Sequence, residues 1–263
     1  MAETEPLLFA SFGSDSAASQ VGVWRIEVRP DYRPDNDIAV LDDLERSRAA
    51  CFRTEALRNV YVAAHSGLRR ILAAHLDVRA KDLVFGFNDW GKASLRDPGT
   101  ELEFNLSHSS NRVLIAVSSA GPVGIDVEKI LPEPPFEIAP VTFSRNERAR
   151  LAALSPALRR VAFYDLWSRK EALIKGVGRG FDLNLQDIDV SVDMDVCRSA
   201  ASLSGTLAQA GDWHLFRLPS IAGFSAALAA RQNLVGVHPW EPAVDGKMKI
   251  QGDKKLDLNT PLH

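Results

Sequence analysis

The chain reads as an α+β protein. Two observations point there. Helix-period and strand-period stretches come in blocks rather than in strict alternation. The C-terminal side also carries a run of short apolar segments that fits antiparallel strands. The layout permits two subdomains, each a helix packed on an antiparallel sheet, with the joint near Gly121. The expected boundaries are 1–120 and 121–236, followed by a polar, loosely ordered tail over 237–263.

Taken in order, residues 1–20 form a mobile lead-in and Val21–Val28 a first strand, and Pro30 and Pro34 mark a loop. Helical periodicity begins near Leu41 and continues from about Thr54 to Leu76, with His75 assigned to the core-facing side. Val84–Asn88 reads as a strand and Trp90-Gly91-Lys92 as a turn. Glu103–Leu106 is a short extended piece leading into a polar loop, Ser107-His108-Ser109-Ser110. Arg112–Ser118 and Val123–Glu128 flank a turn at Ser119-Ala120-Gly121-Pro122 and read as a hairpin. Ser144-Arg145-Asn146-Glu147 has the capping-box pattern, and Ser155-Pro156 has the signature of a helix start. Strands are expected at Ile188–Val192, Ala200–Leu207, Trp213–Leu218 and Phe224–Ala230.

Apolar content of 46% and charged content of 25% are ordinary for a globular protein, and no apolar run approaches a membrane span. There is no basic region followed by an apolar core near Met1, and the two cysteines lack metal-like spacing, which fits the cytoplasm. A net charge of −3 disfavours bulk nucleic-acid binding. From Arg145 to Lys170, however, seven basic residues meet only two acids, Glu147 and Asp165, a local excess able to receive an acidic partner.

The central stretch runs from Phe163 to Lys175. On a helix, Phe163, Leu166, Trp167, Leu173, Ile174 and Val177 make one apolar stripe, with Lys170 inside it and Glu171 at its edge. A lysine facing a core needs an anion unless it snorkels to water, and Glu171 and Lys175 have the spacing of a helical ion pair. On the strand Gly124-Ile125-Asp126-Val127-Glu128, Asp126 and Glu128 share a face. Two adjacent carboxylates are tolerable when solvated or when a hard cation lies between them, and Gly124 permits close backbone approach or a bend. Glu171 is a candidate third carboxylate, and Lys170 and Lys175 are candidates to meet phosphate, a parts list for phosphoryl-type transfer. No G-x-x-x-x-G-K-[ST] or G-x-S-x-G motif is present, so a Walker-type enzyme and a serine hydrolase are both disfavoured.

Three co-ordered motifs resemble the Sfp-type 4′-phosphopantetheinyl transferases. They are Phe104-Asn105-Leu106-Ser107-His108-Ser109, Val123-Gly124-Ile125-Asp126-Val127-Glu128, and Trp167-Ser168-x-Lys170-Glu171-Ala172-x-x-Lys175. Trp90-Gly91-Lys92 looks like that family's turn before its first motif, and the resemblance spans roughly Leu41 to Leu185. It implies two similar halves related by a pseudo-two-fold, with the active site at their interface. It also implies that Asp126, Glu128 and Glu171 bind Mg²⁺, and that Lys170 and Lys175 contact the phosphates of coenzyme A. Ser107 and His108 would meet its phosphate groups, Arg46, Arg53 and Arg58 its 3′-phosphate end, and Gly91 and Lys92 its adenine side. Glu147 and Glu171 are rival general bases. The implied reaction is attack by a carrier-protein serine on the β-phosphate of coenzyme A, releasing 3′,5′-ADP. Acyl or peptidyl carrier proteins of this kind are acidic, which makes Arg145–Arg160 a docking surface. The family's large form suggests a monomer. The competing readings are a non-catalytic carrier-binding relative and another coenzyme A-dependent transferase.

Overall fold

The computed structural model describes residues 3–11, 20–96, 99–180, 183–190, 198–200, 202–203, 213–219, 221–231 and 236–238. Strands β1 (Glu3–Ser11) and β2 (Gln20–Glu27) precede helices α1 (Asp35–Ile38), α2 (Asp43–Ala50) and α3 (Glu55–Leu76). Next come β3 (Phe85–Phe87), β4 (Ala93–Leu95), β5 (Glu103–Ser109), β6 (Arg112–Ser118) and β7 (Val123–Lys129). Helices α4 (Ala139–Thr142), α5 (Arg145–Ala153) and α6 (Pro156–Val177) follow. The last strands are β8 (Ile188–Asp189), β9 (Arg198–Ala200), β10 (Ser202–Leu203), β11 (His214–Arg217), β12 (Phe224–Ala230) and β13 (Gly236–His238).

One sheet has the order β13-β1-β2-β6-β5 and the other β7-β12-β11-β9, with two small pairs, β3-β4 and β8-β10. Helix α3 packs on the first sheet through Ala64, Leu68, Leu72, Ile26 and Ile115. Helix α6 packs on the second through Phe163, Leu173, Ala227 and Ala229. A third core lies between the sheets, where Val21, Val23, Leu114 and Ala116 meet Ile125, Val127 and Leu228. The layers therefore run α3, sheet, sheet, α6. The three strands β2-β6-β5 beneath α3 correspond in order to β7-β12-β11 beneath α6, the α+β pair of similar halves that the sequence predicts. Strand β6 is buried on both faces, which explains its unbroken apolar run.

Several local expectations change. Residues 3–11 are a strand rather than a lead-in: β1 pairs along β2 from Glu3↔Glu27 to Ser11↔Gln20, with a register shift between Pro6 and Leu8 beside the residue that lacks an N–H. Residues 112–128 are not a hairpin, because β6 pairs with β2 and β5 while β7 pairs with β12. Gly121, at φ +103°, carries the chain from one sheet to the other. His75 is exposed, its ring hydrogen-bonded to the Ile71 carbonyl and set edge-on to Trp24. Of the expected tail, Val237 and His238 pair with β1, and the remainder lies outside the described residues. The strands expected at Ile188–Val192 and Ala200–Leu207 are described only in part, as β8, β9 and β10.

Candidate active site

The two sheets meet edge to edge at β5 and β7, and no backbone ladder joins them. Side chains of β5 take its place. The N–H of Ile125 donates to Asn105 Oδ1 (2.9 Å), that of Val127 to Ser107 Oγ (3.4 Å), and that of Lys129 to Ser109 Oγ (3.1 Å). Alternate N–H groups of one strand thus find alternate side chains of the other, as a period of two requires. The segment expected to be a loop, Ser107–Ser109, is therefore strand, because its polar side chains satisfy a neighbouring edge.

The same serines hold the carboxylates. Ser107 Oγ donates to Asp126 Oδ1 (2.8 Å), and Ser109 Oγ donates to Glu128 Oε2 (2.9 Å). Lys175 Nζ reaches across from α6 to Asp126 Oδ1 (2.6 Å) and Ser107 Oγ (2.9 Å). Trp167 Nε1 donates to Glu128 Oε1 (3.4 Å). The ion pair of Lys175 is thus with Asp126 across the interface rather than with Glu171 one turn back. The sequence reading left Asn105, Ser109 and Trp167 without a role. The signal that could have found the first two is the alternation N-x-S-x-S in register with I-D-V-E-K.

Helix α6 reaches this edge because two glycines let it. A Cβ on Gly124 would lie 1.9 Å from the Ala172 carbonyl oxygen and 2.3 Å from Gly176 N, and one on Gly176 would lie 2.6 Å from the Trp213 ring. Glu171 and Lys175 are thereby brought over the Asp126 and Glu128 face. Burial, then the charge of Asp126, pushes the Glu128 carboxyl above the ordinary glutamate range. Glu171 is raised by the same two causes in the same order, with Lys175 opposing.

Asp126 Oδ2 is buried without a hydrogen bond. Among the described residues, no three His, Cys, Asp or Glu side chains close into a ready-made metal cage. Magnesium does not demand one, since it keeps waters and takes phosphate oxygens beside one or two carboxylates. An orphaned carboxylate oxygen with two neighbouring carboxylates raised by burial and by the charge of Asp126 is a donor set that fits such an ion.

Not every predicted residue comes to the cluster. Lys170 is 1% exposed, and its three donors go to Glu147 Oε2 (2.8 Å), the Leu185 carbonyl (2.7 Å) and the Ile188 carbonyl (2.6 Å), so none remains for a phosphate. It does not snorkel to water. Glu147 is fully buried and also accepts from Ser144 N and Val190 N (both 2.8 Å). The capping box at Ser144 is formed, and its glutamate is consumed by it. Lys92 Nζ donates to the Gly176 carbonyl (2.8 Å) and lies 3.5 Å from Glu103, so the turn around Gly91 is fastened to the end of α6. Asn88 adds a second tie, to the Gly178 carbonyl (2.8 Å). His108 points away from buried Ser107 and is exposed. The protein around it, then His65 and Lys175, lowers its pKa. Arg46 pairs with Asp43 (2.6 Å), Arg53 is exposed, and Arg58 is half-buried with Nε unpartnered.

The chain is 32% identical over 179 residues to the 4′-phosphopantetheinyl transferase HetI of Nostoc sp., an overlap covering 66% of this chain and 75% of that protein. The chain belongs to the 4′-phosphopantetheinyl transferase superfamily. The model of that superfamily matches residues 122–229, which contain β7, α5 and α6. Other superfamily members are also similar. A putative 4′-phosphopantetheinyl transferase of Synechocystis sp. is 31% identical over 152 residues, 57% of this chain and 62% of that one. The 4′-phosphopantetheinyl transferase Sfp of Bacillus subtilis is 34% identical over 128 residues, 49% of this chain and 56% of that one. The matched region thus spans between about half and three quarters of these relatives.

Proposed function

We propose that this protein transfers the 4′-phosphopantetheine group of coenzyme A to a serine of an acyl or peptidyl carrier protein, with Mg²⁺, releasing 3′,5′-ADP. The observation that carries the reading is the interface itself: β5, β7 and α6 bring Ser107, Asp126 and Lys175 within hydrogen-bond distance of one another. Asp126, Glu128 and Glu171 are the residues that would hold the metal. Magnesium, when bound there, offsets the charge of the pyrophosphate and of the phosphate being transferred. Ser107 and Ser109 fix the two strand carboxylates in place. Lys175, 29% exposed at its side chain, places a positive charge beside them for the phosphates. Of the two rival bases we assign proton removal from the carrier serine to Glu171, because it sits at the carboxylate cluster beside Asp126 and Lys175 while Glu147 is fully buried and spent in its capping box. Arg46, Arg53, Arg58 and His108 are assigned to the nucleotide end, with Gly91 and Lys92 on its adenine side. A cavity of about 390 Å³ opens beside Glu128, walled by Leu131, Pro135, Ile138, Phe163 and Trp167, and offers an apolar approach for the serine-bearing segment of the carrier. No described helix is long and apolar enough to cross a membrane. We place the protein in the cytoplasm as a monomer, on its cysteine usage and on two halves in one chain.

The test is intact-mass measurement of an apo carrier protein incubated with this protein, coenzyme A and Mg²⁺, with an EDTA control. A gain of one phosphopantetheine, absent with EDTA, is the expected result. No gain on several carriers, with coenzyme A still bound, would instead support a non-catalytic or different coenzyme A-binding role.

Two further outcomes are expected. In metal-free buffer the native state binds more protons at Glu128 and Glu171 than the unfolded state does, because both are raised. Their contribution to stability is therefore fully present below the ordinary glutamate range and is lost as pH rises through the raised values. Mg²⁺ should flatten that slope, as thermal melts from about pH 5 to 8 with and without the ion will read. On the basic surface, Arg145, Arg150 and Arg160 are exposed, whereas Arg159 caps the Ala152 and Leu154 carbonyls (3.0 and 2.9 Å). The double variant Arg150→Glu/Arg160→Glu should raise the KM for the carrier about tenfold and leave that for coenzyme A unchanged. Equal effects on both substrates would exclude docking there.

A further inference from the structure

We infer that the chain carries one polar anchor twice, once in each half, and that the N-terminal copy, Asp42, Glu45 and Arg69 with His65, positions the arginine-bearing segment 46–58. The functional part of this inference rests on the proposed coenzyme A reading.

The correspondence is atom by atom. Helix α2 opens with a capping box in which Glu45 N–H donates to Asp42 Oδ1 (2.8 Å) and Asp42 N–H to Glu45 Oε2 (3.0 Å). Helix α5 opens with one in which Glu147 N–H donates to Ser144 Oγ (3.2 Å) and Ser144 N–H to Glu147 Oε2 (2.8 Å). In each case the box glutamate takes a buried cation from the long helix that follows. Arg69 Nε lies 2.6 Å from Glu45 Oε2, and Lys170 Nζ lies 2.8 Å from Glu147 Oε2. In each case the cation spends further donors on two carbonyls, three residues apart, around the 3₁₀ turn beyond that helix. Arg69 Nη1 reaches Ala80 and Leu83 (3.1 and 3.0 Å), and Lys170 Nζ reaches Leu185 and Ile188. Both cations are essentially inaccessible, at 0% and 1%. A buried cation is tolerated only when it is paired and its donors are filled, and both halves reach the same solution. The carboxylate cluster, by contrast, lies on the α6 side alone. Glu147 and Lys170 are thus positioning residues of the fold, and their counterparts in the other half do the same work away from the carboxylate cluster.

The copies differ where the N-terminal half has its own task. Glu147 spends Oε1 on Val190 N (2.8 Å), whereas Glu45 offers Oε1 to His65 Nδ1 (3.2 Å). His65 packs on Tyr61 with ring centroids 4.1 Å apart, and it contributes to lowering the pKa of His108. Arg46 and Arg48 follow Glu45 on the same short helix. Asp42, an anionic cap, needs the second arm of a guanidinium (Arg69 Nη2, 2.5 Å), whereas the neutral Ser144 needs only a lysine and gives its hydroxyl to Asp189 (3.0 Å). Holding α2 to α3 through Arg69 holds those arginines and His65 in one arrangement.

The experiment joins amide exchange with kinetics on the full chain. Glu45→Gln and Arg69→Met should speed exchange in 43–50 and leave 145–153 as in the wild type, and Glu147→Gln should do the reverse. Glu45→Gln should raise the KM for coenzyme A about tenfold while kcat at saturation stays within about twofold. The double variant Asp42→Ser/Arg69→Lys, which copies the C-terminal anchor, should keep KM within about threefold of the wild type, and a rise of about tenfold there would overturn the equivalence of the two anchors. Unchanged exchange in the anchored helix, a loss falling on kcat in Glu45→Gln, or disappearance of the acidic limb of the pH–kcat profile in Glu147→Gln would each overturn the inference. Absence of coenzyme A binding by the wild type would refute the functional reading, and exchange would still decide the anchor.

Discussion

Asp126→Asn is expected to lower phosphopantetheine transfer by about a thousandfold, close to 4 kcal/mol of transition-state stabilisation. One oxygen of Asp126 takes Ser107 and Lys175, and the other is buried with no hydrogen bond. An amide cannot serve both. Either its NH₂ faces the Lys175 ammonium, or it occupies the position from which an anionic oxygen would meet the metal. Its near-isosteric shape should spare the core, so thermal unfolding without metal should change little, while the stabilisation gained on adding Mg²⁺ should vanish. Transfer within tenfold of the wild type would remove Asp126 from the machinery.

Gly124→Ala is the second large effect. A methyl 1.9 Å from the Ala172 carbonyl oxygen cannot be absorbed by a rotamer change, because both partners are backbone. Helix α6 must lift from β7 or the strand must retreat, at a cost of about 1–3 kcal/mol. Glu171 and Lys175 lift with the helix. A misplacement of about 1 Å in a site of this kind costs about a hundredfold in rate. The expected outcome is a folded protein with a lowered melting temperature, a kcat down about a hundredfold and little change in the KM for the carrier. Wild-type kcat in a correctly folded Gly124→Ala would mean that close helix–strand contact is not what sets the cluster.

The carboxylates and the lysines of α6 were visible as types because period and spacing are local properties. Asp126 and Glu128 share a face by strand alternation, and Lys170 lies in an apolar stripe by helical periodicity. What each of them meets is not local. Lys170 needed an anion, and the sequence offered Glu147 as a capping residue and, by resemblance, as a base, but not as that anion. That one glutamate is both cap and anion follows from the first turn of α5 packing against α6 and the turn at Leu185–Asp187. Lys175 had a helical partner in Glu171 by spacing, yet Asp126 won, because the two sheets bring a buried anion closer than the next turn of the helix does.

By itself, then, the sequence determined the class, the two long helices, most of the strands, the three motifs and the superfamily they resemble. All of these rest on periodicity, caps and residue order over short spans. Only the tertiary structure decided that Ser107–Ser109 is a strand edge satisfied by its own side chains, that residues 112–128 part into two sheets, and that one anchor occurs in both halves. Each of those depends on polar groups separated by about 20 residues or more competing for the same partners. A buried donor or acceptor takes whichever partner the packed layers supply, and no window of sequence contains that choice.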